Sequence, residues 1–286
     1  MKSKCHEIYN IQPVKGHAEK GIFNQRAWQA EADAHLLSAK LLNRTALEAK
    51  SELETKFEKS LRKGETAIIN TLANQVEAHS KSSILLLGYA IETYLKSGLV
   101  RLYQYVERYD FIRIIKKHYG HKLNRAASDL GIKLNPDQEK SLQRIQELIL
   151  DEARYPVTPQ SKKHYSAATH KINSEVWSTG VFNDWLEIAE TIRDCVHKID
   201  SDSDNPSIIE PYKLGSDGYF VIRFGGNLPP YIIAKFSKEE SNKNAKTFID
   251  IKNYFENINH DLAFTRYILG RWDQFTPIDI NRCLKS

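Results

Sequence analysis

Between Ile84 and Val100 the chain reads Ile-Leu-Leu-Leu-Gly-Tyr-Ala-Ile-Glu-Thr-Tyr-Leu-Lys-Ser-Gly-Leu-Val, apolar on nearly every side of a helix. A helix of that kind needs neighbours all round, which places it at the centre of a bundle. Glu92 and Lys96 interrupt the run. With them the stretch is too short and too charged to span a bilayer. The two stand four apart, in the order that favours an ion pair. They read either as a structural pair or as a polar spot facing a cleft.

The flanking sequence supplies the neighbours. Residues 1–23 carry Pro13, Gly16 and Gly21 without a sustained period and read as an irregular arm. From Asn24, a fair N-cap, Trp28, Ala32, His35, Leu36, Ala39 and Leu42 recur at helical steps. His35 on that stripe reads as a core histidine. Residues 46–63 continue as an exposed helix rich in Glu and Lys. The central helix is expected from about Glu65 to Glu107, with a possible break at Ser80–Ser83. Gly131 stops a short helix running from His121 to Leu130. Asn135-Pro136 then opens another with an N-cap, a proline at the first helical position and acids in the first turn. Leu142, Ile145, Leu148 and Ile149 form its inner side, and Pro156 and Pro159 end it. Residues 155–180 form a long connection. The last bundle helix begins at Val181, with Trp185, Ile188, Ala189, Ile192, Val196 and Ile199 on one face.

Residues 201–207 read as a linker. Beyond it, Gly218–Phe224 and Tyr231–Phe236 read as two strands of a hairpin joined by Gly225-Gly226-Asn227-Leu228-Pro229-Pro230. A helix is expected over about 245–269. A lone hairpin is marginal in water, so the segment 208–286 must pack on something as an accessory α+β unit. The alternating aromatics of 219–236 fit a half-buried hairpin rather than a base-stacking platform.

Of the 286 residues, 41% are hydrophobic and 27% charged, enough for a real core. Cys5, Cys195 and Cys283 are far apart and form no zinc-ligand pattern. They read as free thiols in a reducing, cytoplasmic setting, and the start shows no apolar leader. No metal or cofactor is expected. The net charge is +5, and the segment Arg108–Arg125 carries that same excess by itself. Arg108, Arg113, Lys116, Lys117, Lys122 and Arg125 stand there against the single acid Asp110, with His118 and His121 among them. Such a cluster is either a footprint for phosphates or a solvated face.

Gly88-Tyr89-Ala90-Ile91-Glu92-x-x-Leu95-Lys96 resembles the second main helix of HEPN domains, the higher-eukaryote and prokaryote nucleotide-binding family. Gly120-His121-Lys122-Leu123 resembles the Gly-His-x-Leu that follows in many members. Ala153-Arg154-Tyr155-Pro156 resembles the Arg-Tyr-Pro ending the next helix in some bacterial subfamilies. The resemblance covers about 25–200. It implies a mainly α fold: a HEPN-like antiparallel helical bundle over 24–200, here with a small C-terminal β-hairpin plus helix. It also implies a dimer. Catalytic members resemble metal-independent ribonucleases, many of toxin or antiphage systems, with an Arg, often followed by Asn, and then a His after four to six intervening residues on or near the last helix. Here that helix carries Arg193-Asp194-Cys195-Val196-His197, with three intervening residues and Asp in place of the usual Asn.

Metal-free RNA cleavage needs a group near neutral pKa to move protons and a fixed cation for the charge on phosphorus. Arg193 and His197 are spaced to lie a turn apart on one side of a helix. Each follows a core position, so both are expected at the edge of the apolar face. A symmetric dimer would double the set. The other reading makes both surface residues, with His197 favoured near a helix C-terminus. Arg113, Lys116, Lys117, His118, His121, Lys122 and Arg125 are the candidate nucleic-acid contacts. Two functions fit: a metal-independent endoribonuclease of a bacterial toxin or antiphage system, or a non-catalytic HEPN-like module binding RNA, nucleotide or an operon-encoded protein partner.

Overall fold

The computed structural model describes residues 12–16, 19–63, 66–152, 174–175, 177–215, 217–237, 247–257 and 262–285. The chain is mainly helical with a small sheet, as the periodicity predicts. Among the described residues no helix is long and apolar enough to cross a membrane. Arg154, Tyr155 and Pro156 lie outside the described residues, as does most of the 155–180 connection.

Two long helices dominate, α1 (Gln25–Lys63) and α2 (Thr66–Leu102). Asn24 caps α1, its side-chain oxygen accepting from the N–H groups of Arg26 at 2.8 Å and Ala27 at 3.3 Å. The helix runs unbroken through Ser80–Ser83, where the sequence left room for a break. The Ser83 hydroxyl donates to the Ser80 carbonyl at 2.8 Å, turning a potential breaker into a helix-compatible bond. Helix α2 stops at Leu102 rather than Glu107, because the chain turns through Tyr105 at φ 68°. There it pairs with the arm: Tyr105 N–H donates to the Val14 carbonyl at 2.7 Å, and Val14 N–H to the Val106 carbonyl at 2.9 Å.

Around the second half of α2 pack α3 (Arg108–Arg113) with its π-helical continuation Ile114–Tyr119, α4 (Leu123–Asp129), α5 (Pro136–Glu147) with its continuation Leu148–Glu152, and α6 (Thr179–Lys198). Gly88 and Gly98 allow the close approach. A Cβ on Gly88 would stand 2.6 Å from Ile149 Cγ1, and one on Gly98 2.7 Å from Leu130 Cδ1. Asn135 opens α5 with a reciprocal cap: its oxygen accepts from Gln138 N–H at 2.9 Å, and Gln138 Oε1 accepts from Asn135 N–H at 3.0 Å.

The expected hairpin is the centre of a four-stranded sheet. Strands β1 (Ile208–Leu214), β2 (Gly218–Gly225) and β3 (Leu228–Lys235) run antiparallel in order, and β4 (Thr276–Asp279) joins β3 in parallel. Period-2 alternation did not reveal β1 because Glu210, Pro211 and Lys213 break its apolar pattern. The expected single helix over 245–269 is described as α7 (Phe248–Asn257) and α8 (Leu262–Leu269), and a short α9 (Ile280–Cys283) follows β4.

The hairpin is also covered on both faces rather than one. Tyr219, Val221, Tyr231 and Ile233 point into the core shared with α2 and α6. Phe220, Ile222, Ile232 and Ala234 point into a second core closed by Ile251, Phe255, Ile268 and Phe275. Polar links reinforce the first contact. Lys235 Nζ lies 2.8 Å from Glu107 and 2.6 Å from Asp110, and the Tyr231 hydroxyl donates to the Asp129 carbonyl at 2.6 Å. At the start of the linker, Asp200 accepts from Arg101 Nε at 2.6 Å and from Arg223 at 2.6 Å, with all three side chains buried.

Candidate functional site

The period of α6 buries Ile192 and Val196 and leaves the next residue of each turn, Arg193 and His197, at the edge of the core. Arg193 turns toward α1, where its Nε donates to Asp33 Oδ1 at 3.0 Å. The Tyr94 hydroxyl, from α2, donates to the same oxygen at 2.6 Å. The His197 ring meets Tyr94 edge-on at 6.1 Å between centroids and is itself exposed. Three helices therefore bring Asp33, Tyr94, Arg193 and His197 into one polar cluster. Two turns along α1 and one along α6, Lys40 pairs with Glu190 at 2.7 Å and extends the contact.

The electrostatics follow from these bonds. Partial burial raises the Asp33 carboxyl, but hydrogen bonds from Tyr94 and Arg193 and the charges of Arg193 and His197 outweigh it, so Asp33 sits below its ordinary value. Burial, then the bond to Asp33, pushes the Tyr94 hydroxyl far above its ordinary value. The bond to Asp33 lifts Arg193. The result is a carboxylate that fixes a half-exposed guanidinium one turn from an exposed imidazole.

Sequence reasoning missed Asp33 and Tyr94. Asp33 looks like one more solvated acid of an exposed helix face. Tyr94 offered a signal: a tyrosine inside an all-round buried helix must find a partner for its hydroxyl.

A second cluster forms where two of the motifs behind the family resemblance meet. Glu92, buried in α2, pairs with Lys96 through one oxygen and with His121 Nδ1 at 2.8 Å through the other. Lys96 lies over the Trp28 ring at 5.8 Å. Of the two sequence readings, the pair Glu92–Lys96 is thus an ion pair that also positions a half-exposed histidine. Glu92 and Tyr94 are two residues apart on one helix, about 200° around its axis. The two clusters accordingly occupy opposite sides of α2.

The basic segment belongs to the His121 side. Lys116, Lys117, Lys122 and Arg125 are exposed. Arg113 lies over the exposed Tyr109 ring at 5.5 Å. Arg108 is taken by the buried Glu19. Arg125 donates to the His118 carbonyl at 3.3 Å. His118 turns inward, its Nε2 3.8 Å from Cys283 Sγ. Glu92 and Tyr94 thus hold His121 and the Arg193–His197 pair on different sides of α2.

Burial, then the charges of Arg125 and Lys122, lowers His118 from 6.5 to about 4. The folded protein thus resists a proton that the unfolded chain accepts. The stability that neutral His118 contributes is complete above pH 6.5 and declines as pH falls from 6.5 toward about 4. Urea titrations at both ends of that window should show His118→Gln losing less stability on acidification than the wild type. Equal losses would mean that His118 is solvated.

Among the described residues no group of three or more His, Cys, Asp and Glu side chains is placed to hold a metal ion. Comparison with protein-family models, curated proteins and solved structures finds no match to this chain.

Proposed function

We propose that this chain is a HEPN-like protein that cleaves RNA without a metal, in the setting of a bacterial toxin or antiphage system. The observation that carries the reading is the Asp33-anchored Arg193 beside His197. The chemistry is as follows. His197 takes the proton of a 2′-hydroxyl, the 2′-oxygen bonds to phosphorus, and the bond to the 5′-oxygen breaks. Arg193 holds the phosphate oxygens through the charge that develops. The leaving oxygen receives its proton from the His197 of a second copy across a two-fold axis. Asp33 and Tyr94 are positioning residues that fix the guanidinium.

The test is incubation of the full chain with labelled RNA in EDTA. The wild type should cleave, and Arg193→Ala and His197→Ala should each reduce the rate by about 100-fold or more. No cleavage by the wild type would overturn the reading.

A second reading is favoured by the placement of the basic segment. Lys116, Lys117, Lys122 and Arg125 are exposed and flank His121 along the chain. A non-catalytic module binding RNA or nucleotide there would bind in the same assay without cleaving, and Lys116→Glu with Lys117→Glu would weaken binding and flatten its salt dependence.

A further inference from the structure

We infer that the basic segment is one part of a composite track for an unpaired nucleic-acid strand, with Tyr109 as its base-stacking residue and Arg282 and Lys285 as further phosphate contacts. This rests on the second reading of the basic segment and names the ligand class and the limits of that site. It does not depend on the proposed cleavage.

Tertiary packing enlarges the basic segment. Helix α9 seats on the π-helical stretch Ile114–Tyr119, with Cys283 Sγ 3.8 Å from His118 Nε2. The Asn281 amide fixes it there, accepting from Phe236 N–H at 3.1 Å and donating to the Phe236 carbonyl at 3.2 Å. Arg282 and Lys285 flank Cys283, and Lys116 and Lys117 precede His118. Cations from both ends of a 165-residue separation therefore border one contact. Arg282 meets Asp279 at 3.4 Å yet is 89% exposed, and Lys285 is exposed as well. The acids of these elements are engaged elsewhere. Asp110 pairs with Lys235, Asp129 accepts from the Tyr119 hydroxyl, and Asp279 caps α9 through the N–H groups of Asn281 and Arg282.

Charge alone suits any polyanion, and Tyr109 selects among them. Its ring is 63% exposed at the start of the basic segment. Arg113, one turn on, lies over one face of the ring at 5.5 Å. A ring has two faces, and this exposure leaves the other to a ligand. A nucleobase stacked there completes a layer of guanidinium, phenol ring and base. Lys116 and Lys117 follow after one more turn, so the stripe from Tyr109 to Lys117 is about 12 Å long. A duplex cannot use this ring, because its bases are stacked on one another and its A-form major groove is closed to side chains. An unpaired strand can turn a base onto the ring while its phosphates follow the cations. An acidic polypeptide matches the charge but brings no base to stack.

Fluorescence anisotropy of the full chain with a labelled single-stranded DNA oligonucleotide tests this. The probe lacks the 2′-hydroxyl that the proposed cleavage consumes, so binding is read alone. The strand should bind more tightly than its own duplex, although the duplex has the higher charge density. Tyr109→Ala should weaken strand binding by about 10-fold, and Tyr109→Phe, which keeps the ring, should not. Arg282→Ala with Lys285→Ala should flatten the slope of log K against log salt by about 1.4, the share of two phosphate contacts on a single strand. All three positions are exposed, so circular dichroism should show the variants as helical as the wild type. Duplex binding as tight as the strand's, no effect of Tyr109→Ala, an unchanged slope, or equal competition by polyglutamate overturns the inference. The second reading survives any of these if Lys116→Glu with Lys117→Glu still weakens binding. No binding of either probe overturns both.

Discussion

Replacing Asp200 with Asn should lower the free energy of unfolding by about 3–5 kcal/mol, the cost of breaking a buried ion group by removing one partner. Among the described residues Asp200 is the single carboxylate paired with both Arg101 and Arg223, and the Asp200, Arg101 and Arg223 side chains are 3%, 3% and 0% exposed. Burial depresses Arg223 while Asp200 pulls it back toward the charged form. Among the described residues Arg101 Nη1 and Arg223 Nε and Nη1 have no hydrogen-bond partner, so no described group offsets the loss. Asn is the informative substitution because Asp200 has φ 56°, a conformation Asn tolerates. It keeps shape and backbone and removes charge. Urea denaturation followed by circular dichroism measures the effect, with Asp202→Asn, in the exposed linker, expected within about 0.5 kcal/mol of wild type. A loss under about 1 kcal/mol for Asp200→Asn would show that water reaches the arginines.

Phe220→Ala should cost about 3–5 kcal/mol, the range for deleting a fully buried aromatic ring. Phe220 is 0% exposed, stacks on Tyr212 at 4.9 Å and meets Tyr254 edge-on at 6.1 Å. It points away from the bundle, into the core under α7 and α8. The damage should therefore be local before it is global. Amide exchange should accelerate first in Phe248–Asn257 and Leu262–Leu269, while amides of α2 near Leu95 stay protected. Uniform loss of protection in both layers would show that the two cores unfold as one unit.

These substitutions mark how far the sequence could be read. The all-apolar run at Ile84–Val100, the period of α6 and the Asn135-Pro136 start are local patterns. Local patterns specify helices, because the bonds that make a helix are closed within four residues. Arg193 and His197 could be placed at the edge of the core for the same reason, by counting from Ile192 and Val196. Asp33 could not be found that way. Its bond to Arg193 spans 160 positions, and nothing near Asp33 in the chain distinguishes it from a solvated acid.

The sheet shows the same division. Its two central strands were legible from their apolar content. Strands β1 and β4 have little apolar pattern and exist because β2 and β3 offer them unpaired edges. By itself the sequence determined the long helices, the caps at Asn24 and Asn135 and the concentration of positive charge between Arg108 and Arg125, but not the helix at Arg108–Arg113. Only the tertiary structure decided that Glu92 meets His121, that Asp33 anchors Arg193, and that the two clusters lie on opposite sides of α2. A helix is set by contacts a turn apart along the chain, whereas a site is set by side chains that meet only after distant segments pack.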